Sequence, residues 1–227
     1  MIAPEGQEAR IRIWDAPVRI FHWLIVGLFG FSWWSAENDQ LDWHMLSGYV
    51  ILALVLFRIY WGFVGGTTAR FANFLKGPRA VAAYARRLAD RPGKRSSGHN
   101  PMGGWSVALM LVLLLAQTGL GLFAIDVDGI NAGPLDHLVS FDRGRQFARW
   151  HGIAFDLLLI ATALHIAAIA FYALYKRENL VAAMISGKKR MPRAEAPTGL
   201  RFPSLWWAAP GLLVAGLLAV LIARGRL

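Results

Sequence analysis

The chain has 227 residues, of which 56% are hydrophobic, with 10 Trp, 13 Phe and a formal charge of +10; its mean hydropathy is +0.42. It contains no cysteine, which excludes disulfides, thiolate metal sites, iron–sulfur clusters, thiol catalysis and covalent haem attachment. Long apolar runs with few charges predict an integral membrane protein, not a basic soluble protein that binds nucleic acid.

Five runs approach the roughly 20 residues needed to cross a bilayer. The first, residues 21–34, follows Arg10, Arg12 and Arg19 and lacks the small-residue cleavage site of a signal peptide. An acidic loop with Glu37, Asp39 and Asp42 leads to the second span, residues 44–64. The loop of residues 65–104 carries Arg70, Lys76, Arg79, Arg86, Arg87, Arg91, Lys94 and Arg95. Phe71, Phe74, Leu75, Val81, Tyr84 and Leu88 predict an apolar stripe on a basic helix lying along the leaflet. The Pro and Gly of "RPGKRSSGHNPMGG" then break that helix. The third span is predicted at residues 105–125, and residues 126–146 read as an irregular loop rich in Gly and Asp. The fourth span covers residues 148–174, "KKRMPRAEAPTGLRFP" reads as a linker, and the fifth span covers residues 205–223.

Most of the 24 Lys and Arg fall before span one, between spans two and three, and between spans four and five. The positive-inside rule therefore predicts a multi-pass membrane protein with a cytoplasmic N-terminus. The C-terminus lies outside if the fifth span crosses. The predicted fold is all-α, and residues 191–227 form a linker and an additional C-terminal transmembrane helix.

Span four carries His151 and His165, 14 residues apart. That spacing is almost four helical turns, so the two imidazoles share a face about 21 Å apart along the axis. They are too far apart to share one metal ion. His22 stands at the cytoplasmic start of span one and His44 at the outer start of span two. Antiparallel spans thus pair His22 with His165 at one depth and His44 with His151 at the other. Two imidazoles facing each other across a macrocycle are the axial ligands of a low-spin haem b, a geometry suited to electron transfer. Gly48, one turn after His44, permits close approach to a porphyrin face. Arg19, Arg58 and Arg149 are candidate partners of haem propionates. For Arg58 the alternative is snorkelling to the headgroups.

The segments "RIWDAPVRIFHWL", "WHMLSGYVILALVLFRIYWGFVG" and "GHNPMGGWS", with the two-histidine span, resemble the bacterial cytochrome b561 family. That family includes the b-type cytochrome subunits of nickel–iron hydrogenases and, more distantly, of formate dehydrogenase. The resemblance covers residues 10–190 and implies a four-helix transmembrane bundle holding two haems b, ligated by His22, His44, His151 and His165, in a bacterial inner membrane with the C-terminus periplasmic if the fifth span crosses. The fifth span departs from the family's four-helix pattern. The resemblance also implies electron exchange between a periplasmic redox protein, with a c-type cytochrome or a hydrogenase-like subunit as candidates, and a membrane quinone. His99, Asn100 and Trp105, at the entry to span three, are the quinone candidates. His99 can exchange a proton, Asn100 can bond a carbonyl and Trp105 can stack on a ring. Two other functions are compatible with the sequence. One is a superoxide oxidase delivering electrons to ubiquinone, with Arg143, Arg145 and Arg149 as a local funnel for the anion. The other is a membrane anchor subunit without redox chemistry, which predicts no haem.

Overall fold

The computed structural model describes residues 8–90 and 98–225. Arg91, Lys94, Arg95 and the break at Pro92 and Gly93 lie outside the described residues. Strand β1 (Glu8–Arg12) precedes helices α1 (Ala16–Glu37), α2 (Leu41–Val64), α3 (Phe71–Phe74), α4 (Pro78–Arg86), α5 (Pro101–Gly121), α6 (Phe141–Leu174) and α7 (Leu180–Ser186). Strand β2 (Lys188–Pro192) and helix α8 (Ala208–Ala223) follow. Among the described residues, five helical segments are long and apolar enough to cross a membrane: α1, α2, α5, α6, and α8 together with the short turn Leu205–Trp207 before it. Their outward residues, among them Leu24, Val112, Leu157, Leu164 and Leu213, form the apolar surface expected of helices facing lipid.

The helix boundaries follow from capping chemistry. Asp15 caps α1 by accepting from the Val18 amide at 3.0 Å, and Pro17 fits the first turn. The turn between α1 and α2 is tight because Asp39 takes a left-handed conformation with φ 57°, which a short polar side chain tolerates. Asn100 caps α5 through Gly103 N at 2.8 Å. Ser140 caps α6, so this helix begins at Phe141, well before the expected residue 148. The segment predicted to be irregular is otherwise folded back on itself. Ile125 bridges to Ala132, and the Asp126 carboxylate accepts from the amides of Ile130 and Asn131.

Helix α2 is the hub. Of its most apolar window, 44% is buried, against 11–22% for the other spans. It packs against α1, α5 and α8. Ile51 and Val55 of α2, Leu114 of α5 and Leu158 of α6 form a closed apolar layer with Ile25 and Phe29 of α1. Small residues line the side of α8 that meets α2. Gly211 sits so close to Tyr60 that an added Cβ would lie 2.3 Å from its ring, and the Tyr60 hydroxyl donates to Trp207 O at 2.9 Å.

One end of the bundle is basic and carries both strands, the other acidic. At the basic end two expectations are corrected. The predicted linker begins with a strand: β2 pairs antiparallel with β1, from Glu8 opposite Pro192 to Arg12 opposite Lys188. Alternation explains it, because Lys189 and Met191 point inward while Lys188 and Arg190 point out. The inward Lys189 is balanced by Glu178 at 2.5 Å. The single amphipathic helix predicted from Phe71 to Leu88 is two helices, α3 and α4. Phe74 is buried and the Phe71 ring lies against Gly62, so these aromatics plug the bundle end and do not lie in the leaflet. Beneath them the Asp15 carboxylate also accepts from Trp61 Nε1 at 3.0 Å and Gly66 N at 3.2 Å.

Candidate functional site: two histidine pairs

Helix α6 presents His151 and His165 at two depths, and each meets a histidine from another span. At the acidic end the His44 and His151 rings lie 6.0 Å apart between centroids, at 83° to each other. At the basic end His22 and His165 lie 6.4 Å apart, at 52°. The apolar layer around Val55 separates the two levels.

The acidic-end pair is closely directed. His44 Nδ1 lies 2.9 Å from Ser32 O, and His151 Nδ1 lies 2.9 Å from Gln117 O. A carbonyl oxygen can only accept, so both Nδ1 atoms carry the proton and both Nε2 atoms keep a lone pair for a metal. The rings border a cavity of about 600 Å³, lined also by Gly48, Gln117, Gly121 and Gly152. Nothing lies within 4 Å of a Cβ built on Gly48 or Gly152, whereas one on Gly121 would come 3.0 Å from the His151 ring. The Gln117 side-chain amide lies 3.0 Å from His151 Nε2, where a bound iron would sit. Its Oε1 is buried without a partner among the described residues, so little holds that side chain in place.

The basic-end pair has a different setting. His22 Nδ1 is buried and has no hydrogen-bond partner among the described residues. Its ring packs edge-on against Trp23.

Both pairs satisfy the spacing an iron would impose. Two metal–nitrogen bonds of about 2 Å, with the distance from each nitrogen to its ring centre, sum to about 6 Å. Each pair offers two nitrogens, and a macrocycle would supply the other four. The absence of cysteine leaves imidazole as the strong axial donor.

The other expected site residues fall at various places. Arg19 donates from Nε to Met184 O at 3.3 Å and also bonds Ile185 O, so it ties α1 to α7. Arg149 is exposed two residues before His151. Arg58 is 2% exposed, and donates to Ala69 O at 3.2 Å. His99 lies between Trp14, at 4.6 Å, and Phe74, at 4.9 Å. Burial first, then the Arg58 charge and the two histidines His165 and His22, pushes its pKa down to about 3, so it stays neutral near pH 7. Asn100 is committed to its cap and to the Tyr172 hydroxyl, 2.7 Å from its Nδ2. Trp105 Nε1 donates to Lys76 O at 2.8 Å. Ser32 and Gln117 were not anticipated as imidazole partners. Gln117 had a readable signal, since an amide inside an apolar span asks for a partner; Ser32 acts mainly through its backbone, which no sequence pattern marks.

An apolar bundle that pairs imidazoles from different spans at two depths suits a membrane b-type cytochrome. Comparison with known proteins gives the family: residues 13–187 match the model of prokaryotic cytochrome b561, and the chain belongs to that family. It is therefore a multi-pass membrane cytochrome of electron transport with b-type haem. Among its relatives is a probable Ni/Fe-hydrogenase B-type cytochrome subunit of Azotobacter chroococcum mcd 1, 23% identical over 81% of this chain and 92% of the relative. A protein of the same description from Rhizobium leguminosarum bv. viciae is 22% identical over 79% of this chain and 88% of its own length. Another, from Azotobacter vinelandii, is 22% identical over 81% and 92%. No solved structure matches the chain.

Proposed function

We propose that the chain is a di-haem b cytochrome that carries electrons between a periplasmic redox partner and the membrane quinone pool. His44 and His151 would hold one haem at the acidic end, and His22 and His165 the other at the basic end. When bound, the haems would supply two one-electron carriers at different depths in the membrane. The chain's own residues do the rest. The carbonyls of Ser32 and Gln117 orient the acidic-end imidazoles and raise their basicity. The layer of Ile25, Phe29, Ile51, Val55, Leu114 and Leu158 keeps water from the space between the two levels. The unit that does this is residues 10–190; residues 191–227 add a linker and a docking span.

The relatives named as hydrogenase cytochrome subunits favour a hydrogenase-like partner at the acidic end, placed on the periplasmic side by the charge asymmetry of the loops. The quinone belongs at the basic end, at the entry to α5, where the ring of Trp105 is exposed for stacking. The observation that carries this reading is the pair of ring separations, 6.0 and 6.4 Å, at matched depths on one helix. A reduced-minus-oxidised spectrum with pyridine haemochrome counting tests it, and two haems b per chain are expected. His44→Ala and His22→Ala should each leave one. A wild-type protein with a single haem, or a His44→Ala variant that keeps two, would refute the assignment.

A further inference from the structure

Arg58 lies far inside α2, is 2% exposed, and has one nitrogen, Nη1, buried with no partner among the described residues. Its contacts are the Ala69 carbonyl and the faces of Phe71 and Phe74, 5.5 and 6.0 Å from its guanidinium carbon. The nearby carboxylate does not pair with it. Asp15 is already engaged by Val18 N, Trp61 Nε1 and Gly66 N. The Asp15 charge offsets part of the cost of keeping a guanidinium in an apolar interior, but Nη1 still has no acceptor among the described residues, and an anion placed there would relieve the rest.

Two more nitrogens with the same deficit flank it. Arg70 directly follows the carbonyl that Arg58 holds, and its Nε is buried without a partner among the described residues. His99, which packs on Phe74, has its Nδ1 in the same condition. Three unsatisfied nitrogens thus converge around the Phe71–Phe74 turn. The cluster lies at the depth of the basic-end histidine pair, because Arg58 follows His44 on α2 by the same 14 residues, about 21 Å of helix, that separate His165 from His151 on α6. Arg19, by contrast, is used up by the carbonyls of α7, and Arg149 stands in the open at the far end.

We propose that Arg58, flanked by Arg70 and His99, is a carboxylate cradle that takes the propionate side chains of the basic-end haem. This rests on the di-haem reading above and adds which arginine serves, at which end. The planar fork of a guanidinium matches a carboxylate, and the aromatic walls keep water from competing. His99 contributes as a neutral donor. Arg58 and Arg70 would hold the carboxylates of the bound group, and His99 would donate to them from Nδ1. The cradle also puts the guanidiniums of Arg58 and Arg70 beside that haem, which stabilises the reduced form at the basic end.

The test is an optical redox titration of the purified full-length protein in detergent, with haem counted in each sample. Arg58→Gln should keep the acidic-end haem unchanged. At the basic end it should shift the reduction equilibrium about tenfold toward the oxidised form, about 59 mV for one electron. Arg58→Lys, which keeps the charge, should restore most of that shift. If Arg58→Gln does not assemble, the half-buried Arg70→Gln carries the test, with a smaller shift of the same sign. Unchanged potentials in the variant that assembles, with both haems present, would overturn the proposal. So would unchanged potentials accompanied by loss of a quinone-analogue inhibitor, which would assign the cradle to the quinone. A wild-type protein without two haems is a different outcome, and refutes the di-haem reading itself.

Discussion

The two ends of the bundle use the same pair of side chains in opposite surroundings. At the acidic end the imidazoles are tied by Nδ1 to backbone carbonyls and border an open cavity of about 600 Å³. At the basic end His22 Nδ1 has no such tie among the described residues, and Trp14, Asp15, Arg58, Trp61 and Phe74 are buried near that end of the bundle. A hydrogen bond from imidazole to carbonyl enriches the ligand in electrons, whereas a buried cation does the reverse to the metal it faces. As haem ligands, the two pairs would therefore not make equivalent sites. What separates them is the set of atoms one step further out.

Filling the cavity should break the comparison most completely. Gly48→Leu puts a side chain into space that is now open within 4 Å. The expected result is a drop from two haems to one in a haemochrome assay, with the basic-end haem's spectrum kept. Next in size is Asp15→Ala, at the cap. It leaves three buried donors unpaired at once, at a cost of about 3 kcal/mol or more. A clear fall in the thermal midpoint is expected, with the basic-end haem released before the acidic-end one. The smallest effect sharpens the contrast by acidity. Burial holds the His99 pKa at about 3, below its ordinary 6.5. The unfolded chain therefore binds a proton that the folded chain refuses between those values, and stability should fall as pH drops through that window. His99→Phe should flatten this dependence in thermal melts at pH 7, 6 and 5; an unchanged slope would show that His99 does not set it.

Much of the scaffold was legible in the sequence, for physical reasons that also mark its limits. The five spans announce themselves by apolar length, and the four histidines by standing where hydrocarbon would be cheaper. The early start of α6 was also on offer, since Ser140 followed by Asp142 is a helix-capping signature. The β1–β2 ribbon was not, because its strands are five residues each, lie far apart in the chain, and turn a lysine inward. The break between α3 and α4 was hidden by an apolar spacing that suits one helix as well as two. The carbonyls that orient His44 and His151 carry no residue identity at all. The buried neighbours of Arg58 emerged only when the loop after α2 folded back over the bundle end.

The ribbon has a bearing on how the chain is made. Arg12 leaves the ribosome long before its strand partner Lys188, by about 10–35 s at ordinary synthesis rates of roughly 5–20 residues per second. The first strand must wait, unpaired, until four spans have entered the bilayer. Its closure is then a late clasp at the basic mouth of the bundle, and a nascent protein stalled before it would hold all four histidines with that mouth still open.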